Sequence, residues 1–141
     1  MTSAPAPEGP WDPPAVIEEN GIDPSLFTDS DGKRYMVLNR GARLLPLTPD
    51  ARAATGPARL LWYGDIKRAS EGPHILQKDG WYYIILAEGG TGMTHQISVG
   101  RARTLEEAVL WHDGEARRAR LRFEGFSAAD RAALLRFVAS R

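Results

Sequence analysis

Two acidic stretches about fifty residues apart hold the residue types best suited to chemistry in this chain. The first is Gly21-Ile22-Asp23-Pro24-Ser25-Leu26-Phe27 and the second Ser70-Glu71-Gly72-Pro73-His74. Each sets one carboxylate against glycine and proline at the edge of a segment that reads as a β-strand. Two carboxylates fixed on separate rigid elements are what hydrolysis of a glycosidic bond requires, one to protonate the leaving oxygen and one to activate water. Read by itself, an Asp before Pro is a common turn or cap residue, and a Glu before Gly-Pro is a common solvated loop carboxylate.

The elements that must position this pair are mostly strands. Ser25–Phe27, 34–39, 43–47, 58–63, 74–78, 81–87 and 95–99 carry β-branched, aromatic or alternating apolar residues. Asp31-Gly32 and Asp79-Gly80 are hairpin turn signals, and the second, with Trp81 to Ala87 after it, marks the clearest hairpin. Thr48-Pro49-Asp50 opens a turn or a short helical piece. Five prolines within residues 1–14 predict an extended, poorly ordered arm. After Arg101 the texture changes. Thr104-Leu105-Glu106-Glu107 reads as the capped start of a helix, and Ser127-Ala128-Ala129-Asp130 as the start of another. The chain is expected to divide into an arm (1–14), a mainly β region (15–100) and a C-terminal α-helical tail (101–141).

Composition narrows the partners. At 141 residues there is room for one domain with a core, and 43% hydrophobic with 26% charged residues is the soluble globular range. Eighteen basic residues balance eighteen acidic ones, so no bulk field favours nucleic acid or a membrane surface. The chain has no cysteine, which excludes disulfides, thiolate metal sites and thiol nucleophiles. His74, His95 and His112 share no metal-ligand spacing, and no metal or other cofactor is expected. Asp29, Asp31 and Gly32 echo a calcium loop without its closing Glu. Gly89-Gly90-Thr91-Gly92 lacks the Lys and following helix of a phosphate-binding loop. No basic and apolar leader is visible at the N-terminus, so the expected location is cytoplasmic.

The stretches 21–37 (GIDPSLFTDSDGKRYMV), 70–92 (SEGPHILQKDGWYYIILAEGGTG) and, more loosely, 11–17 (WDPPAVI) resemble glycoside hydrolase family 43, the β-xylosidase and α-arabinofuranosidase group. The resemblance covers about residues 11–103, in the family's order. It implies a five-bladed β-propeller, an inverting mechanism and three carboxylates: a base, a pKa-modulating Asp and an acid. Asp23 falls on the position of the modulator and Glu71 on that of the general acid. His95 matches a position near the substrate pocket, and Trp81 or Tyr83 is expected to offer a sugar-stacking face. The family's base-bearing Asp precedes every matched block and is not expected within this chain; Asp12 is no substitute on motif grounds.

Propeller blades take about 40–45 residues each, so this length is expected to build about two, a partial five-bladed β-propeller. Its open sheet edges are expected to invite self-association. The resemblance thus implies a carbohydrate-directed fragment that is inactive alone, with a non-catalytic carbohydrate-binding or hybrid fragment as the alternative. Residues 100–116 and 126–138 resemble the C-terminus of di-haem thiol-oxidoreductase-like c-type cytochromes. That resemblance suggests an electron-transfer relative, but a chain without cysteine cannot attach haem covalently as those proteins do.

Overall fold

The computed structural model describes residues 1–66 and 68–106. Seven strands follow one another: β1 (Ser25–Thr28), β2 (Arg34–Leu38), β3 (Ala42–Leu47), β4 (Arg59–Trp62), β5 (Glu71–Lys78), β6 (Trp81–Glu88) and β7 (Gln96–Ala102). They form two antiparallel meanders, β1-β2-β3-β4 and β5-β6-β7. Two such sheets correspond to the two blades expected from the length of the β region. The described residues include no helix. The helical tail expected after residue 101 lies outside the described residues from Glu107 onward. β7 runs through Arg101 and Ala102, opposite Tyr83 and Tyr82.

Short-range turn chemistry builds the hairpins. Asp79 and Gly80 both take positive φ, 53° and 71°. That is the mirror-image turn whose twist matches the flanking strands, and an Asp-Gly pair is its favoured sequence. It sets Lys78 opposite Trp81, and from there the ladder runs to Glu71 opposite Ala87.

The core lies between the sheets. Phe27, Val37, Ala42, Leu44 and Leu61 of the first sheet meet Ile75, Ile84 and Leu86 of the second, with Leu105 joining them from beyond β7. Even-numbered positions of β6 face this layer, and Leu86 is wholly enclosed. The first sheet is apolar on its other face too, through Met36, Leu38, Leu45 and Leu47. Met1 and Ile17 pack onto that second layer.

The N-terminal arm, residues 1–14, reaches that second layer through Met1. It holds no strand or helix, but it folds back on itself. The Met1 ammonium donates to Ala15 O (2.5 Å), Ala15 N to Met1 O (2.7 Å) and Ser3 Oγ to the Asp12 carboxylate (2.6 Å). Most of the arm beyond Met1 is exposed.

Polar contacts also cross between the sheets. Tyr82 Oη donates to Asp29 Oδ1 at 2.8 Å, beside an edge-to-face contact of its ring with Phe27. Burial and the adjacent Asp29 carboxylate push the Tyr82 phenol up to about 12. A phenol whose folded pKa exceeds its unfolded value contributes stability below pH ~10 that is lost as pH rises towards that raised value. Tyr82→Phe is expected to cost about 1 kcal/mol at neutral pH and to flatten the alkaline limb of the stability profile. Urea melts between neutral and alkaline pH check both effects, and an unchanged alkaline limb would rule out the linkage.

Candidate functional site

Strand direction gathers several loops at one end of the two sheets. The approach to β1, the β2–β3 turn, the β4–β5 loop and the β6–β7 loop all lie there, because each meander alternates direction. Asp23 and Glu71 both occupy this rim.

Asp23 is exposed and sits in the left-handed region, φ 53°. That conformation costs a non-glycine residue roughly 1–2 kcal/mol, and Asp tolerates it better than most. The loop ahead of it is clamped. Asn39 Oδ1 accepts from Ile22 N (2.9 Å), Arg43 Nη1 bridges Glu19 (3.1 Å), and Arg43 Nη2 donates to Asn20 O. Asp23 Oδ2 then accepts from Gly72 N at 3.2 Å, and Ser25 Oγ donates to Pro73 O at 2.6 Å. Both bonds cross from one sheet to the other. They land on the two residues that follow Glu71.

Glu71 is half-buried and opens β5 at a bulge that absorbs Gly72 and Pro73 before pairing resumes at His74. A bulge relieves the ladder at a proline, which has no N–H to give, and re-aims the side chain beside it. Sequence patterning starts this strand at His74, since Gly-Pro reads as a breaker; the bulge is why β5 begins three residues earlier. On the other side of Glu71, the Ser70 carbonyl accepts from Arg40 N (3.0 Å) and Gly41 N (3.1 Å) of the β2–β3 turn. The turn at 39–41 therefore braces both carboxylate loops, Asp23 through Asn39 and Glu71 through Ser70.

His95 is exposed on the same rim. Its Nδ1 lies 2.6 Å from Gly90 O, and a carbonyl can only accept, so Nδ1 carries the proton. Its loop meets the β4–β5 loop through Gly89 N donating to Arg68 O (2.8 Å). Trp81 is placed differently. It stands at the turn end of the β5–β6 hairpin, roughly 20 Å from Glu71 at ~3.3 Å per strand residue. Arg101 and Arg103 lie over its ring at 4.4 and 3.6 Å. The structure thus brings Asp23, Glu71 and His95 to one rim and leaves Trp81 and its neighbour Tyr83 towards the other end.

A third carboxylate, absent from the sequence-based candidates, lies beneath the rim. Glu88 is fully enclosed at 0% exposure. Its Oε2 accepts from Asp65 N (2.8 Å) and its Oε1 lies 3.1 Å from Ser70 Oγ. Burial pushes the Glu88 carboxyl up, but hydrogen bonds from Ser98, the Asp65 and Ile66 amides and Ser70 outweigh it and hold the group below the usual glutamate range. The signal for it was the alternation itself: in 82, 84, 86, 88 the fourth member falls on the core face.

A carboxyl with a lowered folded pKa contributes stability that is complete above its unfolded value, ~4.3, and lost as pH falls through the folded value. Acid is therefore expected to loosen the 63–70 loop below pH ~4, and Glu88→Gln to shrink that acid limb. Tryptophan fluorescence of wild type against variant over this range decides it; superimposable acid limbs would exclude Glu88 as the group responsible.

Comparison with known proteins places these features in a family. A family model described as glycosyl hydrolases family 43 matches residues 1–126. That match runs past the expected boundary at residue 101, and the comparisons give no support to a cytochrome-like tail. A xylosidase/arabinosidase 43B of Humicola insolens is 38% identical over 109 residues, covering 70% of this chain and 20% of that protein. A xylosidase/arabinosidase of Butyrivibrio fibrisolvens is 38% identical over 131 residues, covering 81% and 25%. Among solved structures, the GH43 BlXynB protein of Bacillus licheniformis is 48% identical with a TM-score of 0.69, over 74% of this chain and 20% of that one. The chain spans about a fifth to a quarter of the length of these relatives.

Proposed function

The chain belongs to glycosyl hydrolases family 43, and from that premise we propose that it carries the proton-donating half of an inverting glycosidase site for xylose- or arabinose-containing carbohydrate. Relatives bearing the names xylosidase and arabinosidase support the sugar class, and two antiparallel meanders support a partial β-propeller. Glu71 is the general acid, Asp23 the carboxylate beside it, and His95 a polar partner for the sugar. One observation carries the reading: the Asp23 carboxylate takes the N–H of Gly72, the residue next to Glu71, across two sheets. Carboxylate chemistry at a glycosidic bond needs such mutual fixing, since a small misplacement costs orders of magnitude in rate.

In this mechanism the substrate's leaving oxygen meets the half-buried Glu71 carboxyl, which gives up its proton as the glycosidic bond breaks. Water attacks the anomeric carbon from the opposite face, activated by a base about 6.5–9.5 Å from the acid, and the configuration inverts. The family pattern assigns no residue of this chain to that base. Alone, the chain is therefore inactive, and a segment bearing the base restores turnover.

The test is release of p-nitrophenol from aryl β-xyloside and α-arabinofuranoside. The 141-residue chain by itself should show none above background. A chimera in which it replaces the matching stretch of the Humicola insolens relative should hydrolyse one of the two with inversion, read by proton NMR of the first-formed anomer. A folded chimera that binds xylo-oligosaccharide without turnover would instead establish a non-catalytic carbohydrate-binding fragment.

A further inference from the structure

Among the described residues Glu88 is the one buried charged side chain, and the other two buried polar side chains, Ser70 and Ser98, are its partners. No step of the mechanism above uses it. Its surroundings are nonetheless built for a carboxylate. At Gly64, φ +98°, an added Cβ would lie 2.1 Å from Glu88 Oε1 and 2.7 Å from Oε2, so the β4–β5 loop closes over the group only because that position has no side chain. The next two amides of the same loop, Asp65 and Ile66, donate to the carboxylate. A buried carboxylate is tolerated only when so satisfied.

The loop fixed in this way is the one that delivers Glu71. Resting on the reading of Glu71 as the acid, we propose that Glu88 is a positioning residue for it, acting through Ser70. The Ser70 hydroxyl is shared between Tyr63 O (2.6 Å) and Glu88 Oε1 (3.1 Å), which holds the loop's two ends together. With its hydroxyl held, Ser70 presents its carbonyl to Arg40 N and Gly41 N (3.0 and 3.1 Å). The backbone of Glu71 is then pinned on one side by Ser70 and on the other by Gly72 N on Asp23. Glu88 also lies on β6 next to Ala87, the ladder partner of Glu71. One buried anion thus sets where the half-buried carboxyl stands relative to the first sheet, without touching substrate.

Amide hydrogen exchange on the 141-residue chain tests this without any need for turnover. In Glu88→Ala the Arg40 and Gly41 amides should exchange about tenfold faster, while β6 amides from Tyr82 to Leu86 keep their rates, because only the local opening is made easier. Glu88→Gln should rescue most of the protection: its amide oxygen can accept from Asp65 and Ile66, and its NH2 can donate to Ser70 Oγ. Unchanged rates at Arg40 and Gly41 would overturn the proposal. So would an equal acceleration across β6, which would mean that Glu88 merely stabilises the fold. If Glu88→Ala does not fold, Ser70→Ala gives the same reading with a smaller loss of volume, and unaltered exchange at Arg40 and Gly41 sinks it. None of these outcomes depends on Glu71 being an acid, a point that leaving-group kinetics decides separately.

Discussion

Glu71→Gln in a base-complemented chimera is expected to lower kcat on xylobiose by about 10²–10⁴-fold while leaving hydrolysis of a dinitrophenyl xyloside within about tenfold of the parent. The two substrates differ in what they ask of an acid. A sugar alkoxide cannot depart unprotonated, so its departure needs the proton that the proposed mechanism draws from Glu71. Dinitrophenolate departs unaided and needs only the base and the attacking water. Gln occupies the volume of Glu and can keep hydrogen bonds to a substrate, so ground-state binding should change little. The loss should therefore appear in kcat rather than KM. Equal losses on both substrates would show that Glu71 does something other than protonate the leaving group.

Gly64→Ala is expected to destabilise the fold by about 4 kcal/mol, with roughly 1–2 from the left-handed backbone and about 2–3 from disrupting a buried charged acceptor. The new Cβ would stand 2.1 Å from Oε1 and 2.3 Å from Cδ of Glu88, well inside van der Waals contact. A carboxylate at a side chain's end could ordinarily swing away. This one has 0% exposure, and moving it strips the Asp65 amide of its acceptor and the Ser70 hydroxyl of one of its two. For a folded region of about a hundred residues the drop in Tm should be about 20 °C. A double-mutant cycle separates the parts. In a Glu88→Ala background the clash is gone, and Gly64→Ala should cost only its backbone share of about 1–2 kcal/mol. Additive costs would show that the loop does not close on the carboxylate as described.

What was legible in the sequence follows from the range of each interaction. The β5–β6 hairpin was readable because Asp79-Gly80 dictates its turn locally and the aromatic and branched residues around it prefer strands. Asp23 and Glu71 stood out because glycine and proline mark places where the backbone must depart from regular structure. The same marks misled about the start of β5, since the Gly72-Pro73 pair that reads as a breaker is taken up in a bulge. Trp81 is an aromatic suited to a sugar face, yet it lies at the turn end of its hairpin with two guanidinium groups over its ring. A residue's type says what it can bind and not which end of the sheet it occupies. The charge of Glu88 suggests solvent, whereas its period-two register places it inside.

By itself the sequence determined most strands, their turns and the local setting of Asp23 and Glu71, because each depends on residues within a few positions of one another. Only the tertiary structure decided that the Asn39–Gly41 turn braces both carboxylate loops, and that Asp23 reaches Gly72 across 49 positions. It also decided that Gly64 makes room for a buried anion. These relations arise from packing one sheet against another. That packing depends on the summed burial of both apolar faces, to which no local stretch of sequence has access.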